Sequence, residues 1–184
     1  MFYRTKPLIL LIEIHFSPPH RREFSAVAHP LLNWKHMKTV EQDELQRMLV
    51  KNENIITLPL GLLGFEHVKK YVLLANPEEA PFMWLQMLDN ANQGFVVISP
   101  TTAVPDYAPD IAQEDVDFLG LKSAADAIVL NIVTVHANGE ATANFKGPII
   151  LNRHTLVGKQ VIPTNVGGFS LQRPLHPAAA AAAA

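Results

Sequence analysis

The stretch Thr142-Ala143-Asn144-Phe145-Lys146-Gly147-Pro148-Ile149-Ile150-Leu151-Asn152 joins a polar segment that can turn to an apolar run. Just before it, Asn138-Gly139 is typical of a two-residue hairpin turn, because both positions of such a turn favour positive φ. The stretch therefore predicts a hairpin followed by a strand. It contains no nucleophile–base pair and no metal-ligand spacing, which favours recognition over catalysis.

Short apolar runs recur on both sides of this stretch, separated by proline, glycine and asparagine. They predict strands at residues 55–58, 71–74, 82–87, 95–98, 128–135, 148–152, 157–162 and 169–171. The strongest, 128–135, is apolar on both faces except at Asn131, which indicates a central strand. An acidic helix is expected at 109–119, ended by Gly120, and residues 65–70 favour a further helical turn. The pattern predicts a mainly β fold, a small antiparallel β-barrel-like or sandwich-like single domain with one or two short helices.

The two ends of the chain differ in composition from the body, which we place at residues 37–176. Residues 1–36 carry five basic and two acidic side chains and form a basic N-terminal arm or a mis-called extension with Met37 as the true start. The apolar run 8–12 is too short to span a bilayer, although it and Ala26-Val27-Ala28 leave a secreted β-domain as an alternative. Residues 177–184 form an alanine-rich tail. The first element of the body, near residues 39–50, fits either a short helix or the start of a strand.

The inventory of reactive side chains is sparse. The 184-residue chain has no cysteine, which excludes disulfides and thiol nucleophiles. Its net charge of −2 differs from the basic charge that is typical of a nucleic-acid-binding protein. The eight histidines show no metal-ligand spacing. Gly158-Lys159-Gln160 fails the phosphate-loop pattern and predicts a β-turn with an exposed lysine. We therefore predict no catalytic residue, no cofactor and no metal.

A cluster of acidic residues is the main argument for the enzymatic alternative. Its members are expected to form a solvated face: Asp106, Asp110, Glu114, Asp115 and Asp117. The alternative is a small β-barrel hydrolase, in which His136 or His154 converges with Asp106 or Asp115 in a pocket.

Several segments, in order, resemble the flagellar assembly factor FliW family. The segment Leu58-Pro59-Leu60-Gly61-Leu62-Leu63-Gly64-Phe65-Glu66 resembles its LPEGLPGFE motif, and residues 81–86 resemble its PFLWLQ strand. Residues 143–152 resemble its ANLKAPIVIN segment. Further matches follow the same order at residues 95–100, 105–107, 158–160 and 170–175. The sequence departs from the pattern at Leu60, Leu63 and Gly147, where the family tends to have Glu, Pro and Ala.

The resemblance implies a cytoplasmic, non-enzymatic partner switch with a β-barrel-like fold. Its partners would be newly made flagellin and the translational repressor CsrA, with no direct nucleic-acid contact and no membrane. Bound flagellin would leave CsrA free to silence flagellin mRNA, and export of flagellin would let the factor capture CsrA.

For partner binding we predict Asp106, Tyr107, Asn144, Phe145 and Lys146. Phe145 or Tyr107 would supply apolar contact, because an aromatic on a stiff loop is a good interface anchor. Asn144 and Lys146 would set the register through hydrogen bonds, unless Asn144 only bonds its own loop and Phe145 or Tyr107 packs in the core. Asp106 would face a basic partner, which suits an RNA-binding protein such as CsrA.

Overall fold

The structure, a computed structural model, describes residues 54–75, 79–90, 92–137 and 140–175. These residues form nine strands: β1 Ile55–Thr57, β2 Lys70–Ala75, β3 Phe82–Met87, β4 Gly94–Ile98, β5 Ala127–Val135, β6 Ala141–Ala143, β7 Ile149–Asn152, β8 Gly158–Gln160 and β9 Arg173–Pro174. Two helices lie between β4 and β5, α1 Pro100–Ala103 and α2 Gln113–Leu119, and two short 3₁₀ turns occur at Ala124–Asp126 and Val166–Gly168.

The long strand β5 organises the sheet, as its two-sided apolar pattern predicts. One of its edges pairs with β4, where Ile98 lies opposite Asn131. Its other edge is shared, first by β7, with Leu130 opposite Ile149, and then by β6, with Val133 opposite Ala143. All these pairs are antiparallel, and β1 to β4 extend the sheet on the far side as a meander. The prediction of a mainly β, antiparallel fold is confirmed.

The sheet is barrel-like only in a loose sense, because it does not close. Strand β8 pairs with β7 alone, and it meets β1 at a single isolated parallel bridge between Thr57 and Val157. The Thr57 N–H donates to the Leu156 carbonyl at 2.9 Å. This one contact brings the chain just after β1 close to β8, which matters for the site described below.

Three parts of the described chain differ from the predictions. Residues 169–171 form no strand; the last strand is β9, which pairs with β6 a few residues later. Residues 65–70 form no helix; they hold a single turn, in which the Val68 N–H donates to the Phe65 carbonyl at 3.0 Å, and Phe65 pairs with Leu62 in an isolated antiparallel bridge. Helix α1 was not predicted, although Pro100 is well placed at its first turn, where its missing N–H costs nothing.

Some predictions concern parts of the chain that the structure does not describe. They are the N-terminal arm, the element at residues 39–50, the Asn138-Gly139 turn and the alanine-rich tail. Among the described residues, no helix is both long and apolar enough to cross a membrane.

In the part of the chain that the structure describes, the apolar interior holds one hydroxyl group without a hydrogen-bond partner. Tyr71 on β2 is fully buried beside Leu85 and Val97, and its hydroxyl has no hydrogen-bond partner among the described residues. Burial, and secondarily the charge of Asp89, raises the pKa of Tyr71 to about 12. The phenol is thus held neutral in an environment that disfavours its ionised form.

We expect Tyr71→Phe to stabilise the fold by about 1 kcal/mol near neutral pH, because the change removes an unpaired buried hydroxyl. The difference in stability between Tyr71→Phe and the wild type should grow above about pH 10. There the unfolded tyrosine ionises while the folded one stays protonated up to about pH 12, so the wild-type stability falls by about 1.4 kcal/mol by pH 11 and by on the order of 2–3 kcal/mol only beyond pH 12. Urea unfolding of both proteins between about pH 7 and 11 measures this. A Tyr71→Phe protein less stable than the wild type at every pH contradicts the prediction.

Candidate functional site

The 144–147 loop connects β6 to β7, and its own backbone and side chain fix its shape. The Asn144 N–H donates to the Ile132 carbonyl at 2.9 Å, and the Asn144 carbonyl accepts from Nδ2 of Asn131 at 2.6 Å. The Asn144 side-chain oxygen accepts from the N–H groups of Lys146 and Gly147 at 2.9 and 3.1 Å. This is an Asx turn, in which the side chain replaces a backbone acceptor. Asn144 therefore bonds its own loop.

Other parts of the chain complete the bonding of this loop. The Phe145 N–H donates to the Ser170 carbonyl at 2.9 Å, and the Phe145 carbonyl accepts from the Tyr107 hydroxyl at 2.8 Å. The Gly147 carbonyl accepts from Nε2 of Gln160 at 3.2 Å. Because most of its backbone polar groups are paired, the 144–147 loop is held in one conformation before any partner arrives, which lowers the entropy cost of binding.

The structure brings the two predicted segments together but places their aromatic rings in the core. Phe145 is 1% exposed and Tyr107 8% exposed. Their rings meet edge to face, with centroids 4.9 Å apart, and Tyr107 also contacts Phe169. Burial raises the pKa of Tyr107, against the opposing effect of a side-chain hydrogen bond with Asn131.

The expectation that either ring offers apolar contact to a partner is therefore corrected. In this conformation both rings serve the packing of the loops. Whether the two residues contribute to binding by holding the 144–147 loop stays a prediction. The charged members of the predicted set are placed differently, since Asp106 is exposed and Lys146 is partly exposed.

Gln160, on β8, belongs to this site and was not predicted. Its amide oxygen accepts from the N–H of Leu63 at 3.0 Å, while its amide nitrogen donates to the Gly147 carbonyl. One side chain thus joins the 58–65 turn to the 144–147 loop. Leu63 and Gln160 are 97 positions apart, so no local sequence signal reveals the link. A proline at position 63 would lack the N–H that makes it.

The space beside Gln160 is narrow on the Gly147 side. A Cβ on Gly147 would lie 3.3 Å from Nδ2 of Asn144 and 3.3 Å from Nε2 of Gln160. Glycine at this position therefore lets both amides approach the loop closely, and a larger residue would require them to shift.

Exposed apolar side chains lie next to this link. Leu60 and Leu63, in the 58–65 turn, are 52% and 84% exposed, and Ile162, two residues after Gln160, is 64% exposed. The turn that carries the two leucines is closed by bonds from the Gly61 N–H to the Leu58 carbonyl and from the Phe65 N–H to the Leu62 carbonyl. Leu63 and Ile162 belong to the segments that Gln160 joins or continues, and contiguous exposed apolar groups are typical of a protein interaction site.

On the other side of β8, Lys159 does not lie in an exposed turn, contrary to the prediction. Its ammonium forms an ion pair with Asp115 of α2 and lies 5.3 Å from the centroid of the Phe118 ring. Asp115 is only 9% exposed, so the expectation of a solvated acidic face fails at this residue. It holds for the other four members, Asp106, Asp110, Glu114 and Asp117, which are exposed.

The histidines that would serve a hydrolase have other partners. His154 bonds Asp126 at 3.0 Å, and His136 bonds the Thr142 hydroxyl at 3.0 Å. The bond from His154, with backbone N–H bonds from Lys122 and Ser123, lowers the pKa of Asp126. Within the described part of the chain, no group of three or more His, Cys, Asp or Glu side chains is placed to hold a metal ion.

Comparisons with known proteins agree with the fold. Residues 39–175 match the family model described as FliW protein. A flagellar assembly factor FliW from Leptospira interrogans serovar Lai is 37% identical over 135 residues, which cover 72% of this chain and 90% of that relative.

Two further matches come from another organism and from a solved structure. A flagellar assembly factor FliW from Natranaerobius thermophilus is 37% identical over 128 residues, or 68% of this chain and 84% of the relative. The crystal structure of a flagellar assembly factor FliW superposes with a TM-score of 0.60 at 34% identity, covering 67% of this chain and 86% of that one. On these matches, the chain belongs to the FliW family.

Proposed function

We propose that this protein is a cytoplasmic flagellar assembly factor that binds flagellin and the translational regulator CsrA and switches between them. Flagellin-bound factor leaves CsrA free to repress flagellin mRNA, and factor released from flagellin withdraws CsrA. Membership in the FliW family supports the role in flagellar assembly. Such a switch requires only that the two partners compete for one protein, so it needs binding groups and no catalytic ones.

The observation that carries the proposal is the paired backbone of the 144–147 loop beside exposed apolar side chains. The loop is held by Asn131, Tyr107 and Gln160 from three different parts of the chain. Leu63 and Ile162 lie next to it with most of their surface in solvent. A rigid loop beside an apolar patch suits protein recognition, which supports a binding role over an enzymatic one.

Two segments of the site differ in the sign of their charge. Residues 100–121 contain five acidic and no basic side chains, and four of the five acids are exposed. That region suits a basic partner, as an RNA-binding regulator such as CsrA is expected to be. Lys146, on the 144–147 loop, has the opposite sign and makes no ion pair among the described residues. It suits the other partner, flagellin.

Calorimetry with the purified protein at tens of micromolar tests the two binding activities directly. We expect a heat of binding with flagellin and with CsrA, and displacement of bound CsrA when flagellin is added in excess. Binding to neither partner rejects the proposal. Binding to both at the same time, without displacement, rejects the switch while leaving the two interactions in place.

Lys146→Ala is expected to weaken flagellin binding about fivefold, or by about 1 kcal/mol, because it removes a partly exposed charge at the edge of the surface. Lys122→Ala is the matched control, since it makes the same charge change on an exposed residue beyond the opposite end of β7. Titrations at low and at about 0.5 M salt should bring the two variants closer together as the charge is screened. Equal loss in both variants at low salt means that only net charge matters.

A further inference from the structure

The 58–65 turn presents two leucines to solvent. Leu60 is 52% exposed and Leu63 is 84% exposed, although they flank the buried pair Gly61-Leu62. Since they are three positions apart in the chain, their Cα atoms lie within ~11 Å of each other. Bonds inside the turn, together with the bond from the Leu63 N–H to Gln160 at 3.0 Å, hold the two side chains in place. They form one small apolar surface.

A negative charge lies directly beside this surface. Oε1 of the exposed Glu66 accepts from the Gly64 N–H at 2.8 Å, and this bond is the main reason why the pKa of Glu66 is lowered. His67 and Lys69 have smaller effects on that pKa, and in the described part of the chain neither forms an ion pair with Glu66. An occupant that fits the turn is therefore aliphatic and carries a basic group next to its aliphatic part.

The basic N-terminal arm of this chain contains a segment of that kind. Leu8-Ile9-Leu10-Leu11-Ile12 is a run of aliphatic residues, and Arg4 and Lys6 come shortly before it. The match to the family model begins at residue 39, so the run lies outside the part of the chain that the family shares. Consecutive aliphatic side chains are costly to leave in water, which favours contact with an apolar surface.

The arm leads into the described fold close to the turn. Asn54 has a φ of +55°, so the chain changes direction there and does not continue in line with β1. Because β1 is only three residues long, the turn begins about 13 Å from Asn54. Residues 13–53 connect the run to Asn54 and could reach more than about 100 Å if extended, so their length does not prevent the contact. Within one chain, the effective concentration of the run at the turn is on the order of millimolar.

We propose that residues 8–12 bind the 58–65 turn within the same molecule, with aliphatic side chains against Leu60 and Leu63 and a basic side chain facing Glu66. This contact goes beyond the proposed function and does not depend on which partners the protein binds. A partner that contacts Leu63 would have to displace the arm, so the arm would limit access to this part of the surface.

The test uses the absence of cysteine, which allows a nitroxide label to be attached at one chosen position of the full chain. We place the label on Thr5→Cys, just before the run, and record the paramagnetic broadening of backbone amide signals by NMR. Relative to the reduced label, the amide signals of residues 60–66 are expected to lose about half of their intensity or more. Broadening that is no stronger at the turn than elsewhere on the surface overturns the inference.

Variants on both sides of the contact show whether the two leucines hold the arm. In the labelled protein, Leu63→Ser is expected to reduce the broadening at the turn about threefold, because it removes apolar contact area. Leu171→Ser is the matched control, since Leu171 is 60% exposed and lies outside the turn, and it should leave the broadening unchanged. Leu10→Asp should act like Leu63→Ser without any change in the turn itself. Equal broadening in all three variants overturns the inference.

Two further outcomes would also overturn the inference. Mixing spin-labelled protein with ¹⁵N-labelled protein that carries no nitroxide reports contacts between molecules. Broadening of the turn in this mixture means that a second copy, and not the molecule's own arm, occupies the surface. Protein isolated from its own cells that begins at Met37, or after Ala28, lacks the run and leaves the turn without this occupant.

Discussion

Replacing Phe145 with alanine is expected to destabilise the protein by about 4 kcal/mol, which is within the range for deleting a buried phenylalanine ring. The ring is 1% exposed and lies in a cluster with Ile98, Val133 and Ala143. It also makes the edge-to-face contact with Tyr107 at 4.9 Å, an arrangement that adds to the energy of burial. Urea unfolding at neutral pH, with the slope checked against the wild type, measures the change.

Two milder variants separate the sources of this loss. Phe145→Leu keeps most of the apolar volume and should cost about 1 to 1.5 kcal/mol. Tyr107→Phe keeps both rings but leaves the Phe145 carbonyl without its donor, which should cost about 1 to 2 kcal/mol. A Phe145→Ala protein that loses less than about 1 kcal/mol contradicts the assignment of this ring to the core.

The positions of two strands could be predicted from the sequence. The strand 82–87 was predicted with the bounds that the structure has, because Pro81 precedes its apolar and aromatic run and a polar connection begins at Asp89, one residue after Leu88. Strand β5 was placed correctly at the centre of the sheet from its two apolar faces. Both predictions depend on local pattern, and local pattern is what a strand inside a sheet requires.

The direction of a loop side chain depends on residues that are distant in sequence. Tyr107 and Phe145 lie 38 positions apart, and their rings pack against each other in a cluster that residues from other strands complete. From its sequence alone, the tyrosine of a stiff proline-rich loop is equally compatible with contact to a partner and with packing in the core. The pairing of Asp115 with Lys159 was missed for the same reason, since 44 positions separate them.

The role of Gln160 was the furthest beyond sequence reasoning. A glutamine on a short strand usually faces solvent, and its two partners lie 97 and 13 positions away in two different loops. The nearest signal in the sequence was Gly147, since a residue without a side chain often marks a position where another group approaches the backbone closely. That signal indicates crowding but does not name the group that approaches.

Gly61→Ala is expected to destabilise the fold by about 3 kcal/mol or more, because the substitution combines backbone strain with a steric clash. Gly61 has a φ of +75°, and a Cβ at this position would lie 2.6 Å from the Cα of Glu66 and 2.8 Å from the carbonyl oxygens of Phe65 and Glu66. These are backbone atoms, so no side-chain rotation relieves the contact. The 58–65 turn has to open, and Leu63 with it.

Gly64→Ala is the matched control within the same turn. Gly64 has a similar φ of +82°, but a Cβ there meets no atom within 4 Å, so only the strain of about 1 kcal/mol remains. Urea unfolding of the two variants isolates the clash at position 61, and equal losses would show that the close approach to Glu66 is absent in solution. Because Leu63 lies between the two glycines, Gly61→Ala should also weaken flagellin binding, by about tenfold, at temperatures where the variant is folded. Gly64→Ala should bind within about threefold of the wild type, since its turn keeps the Gly61 N–H to Leu58 bond and the Leu63 bond to Gln160.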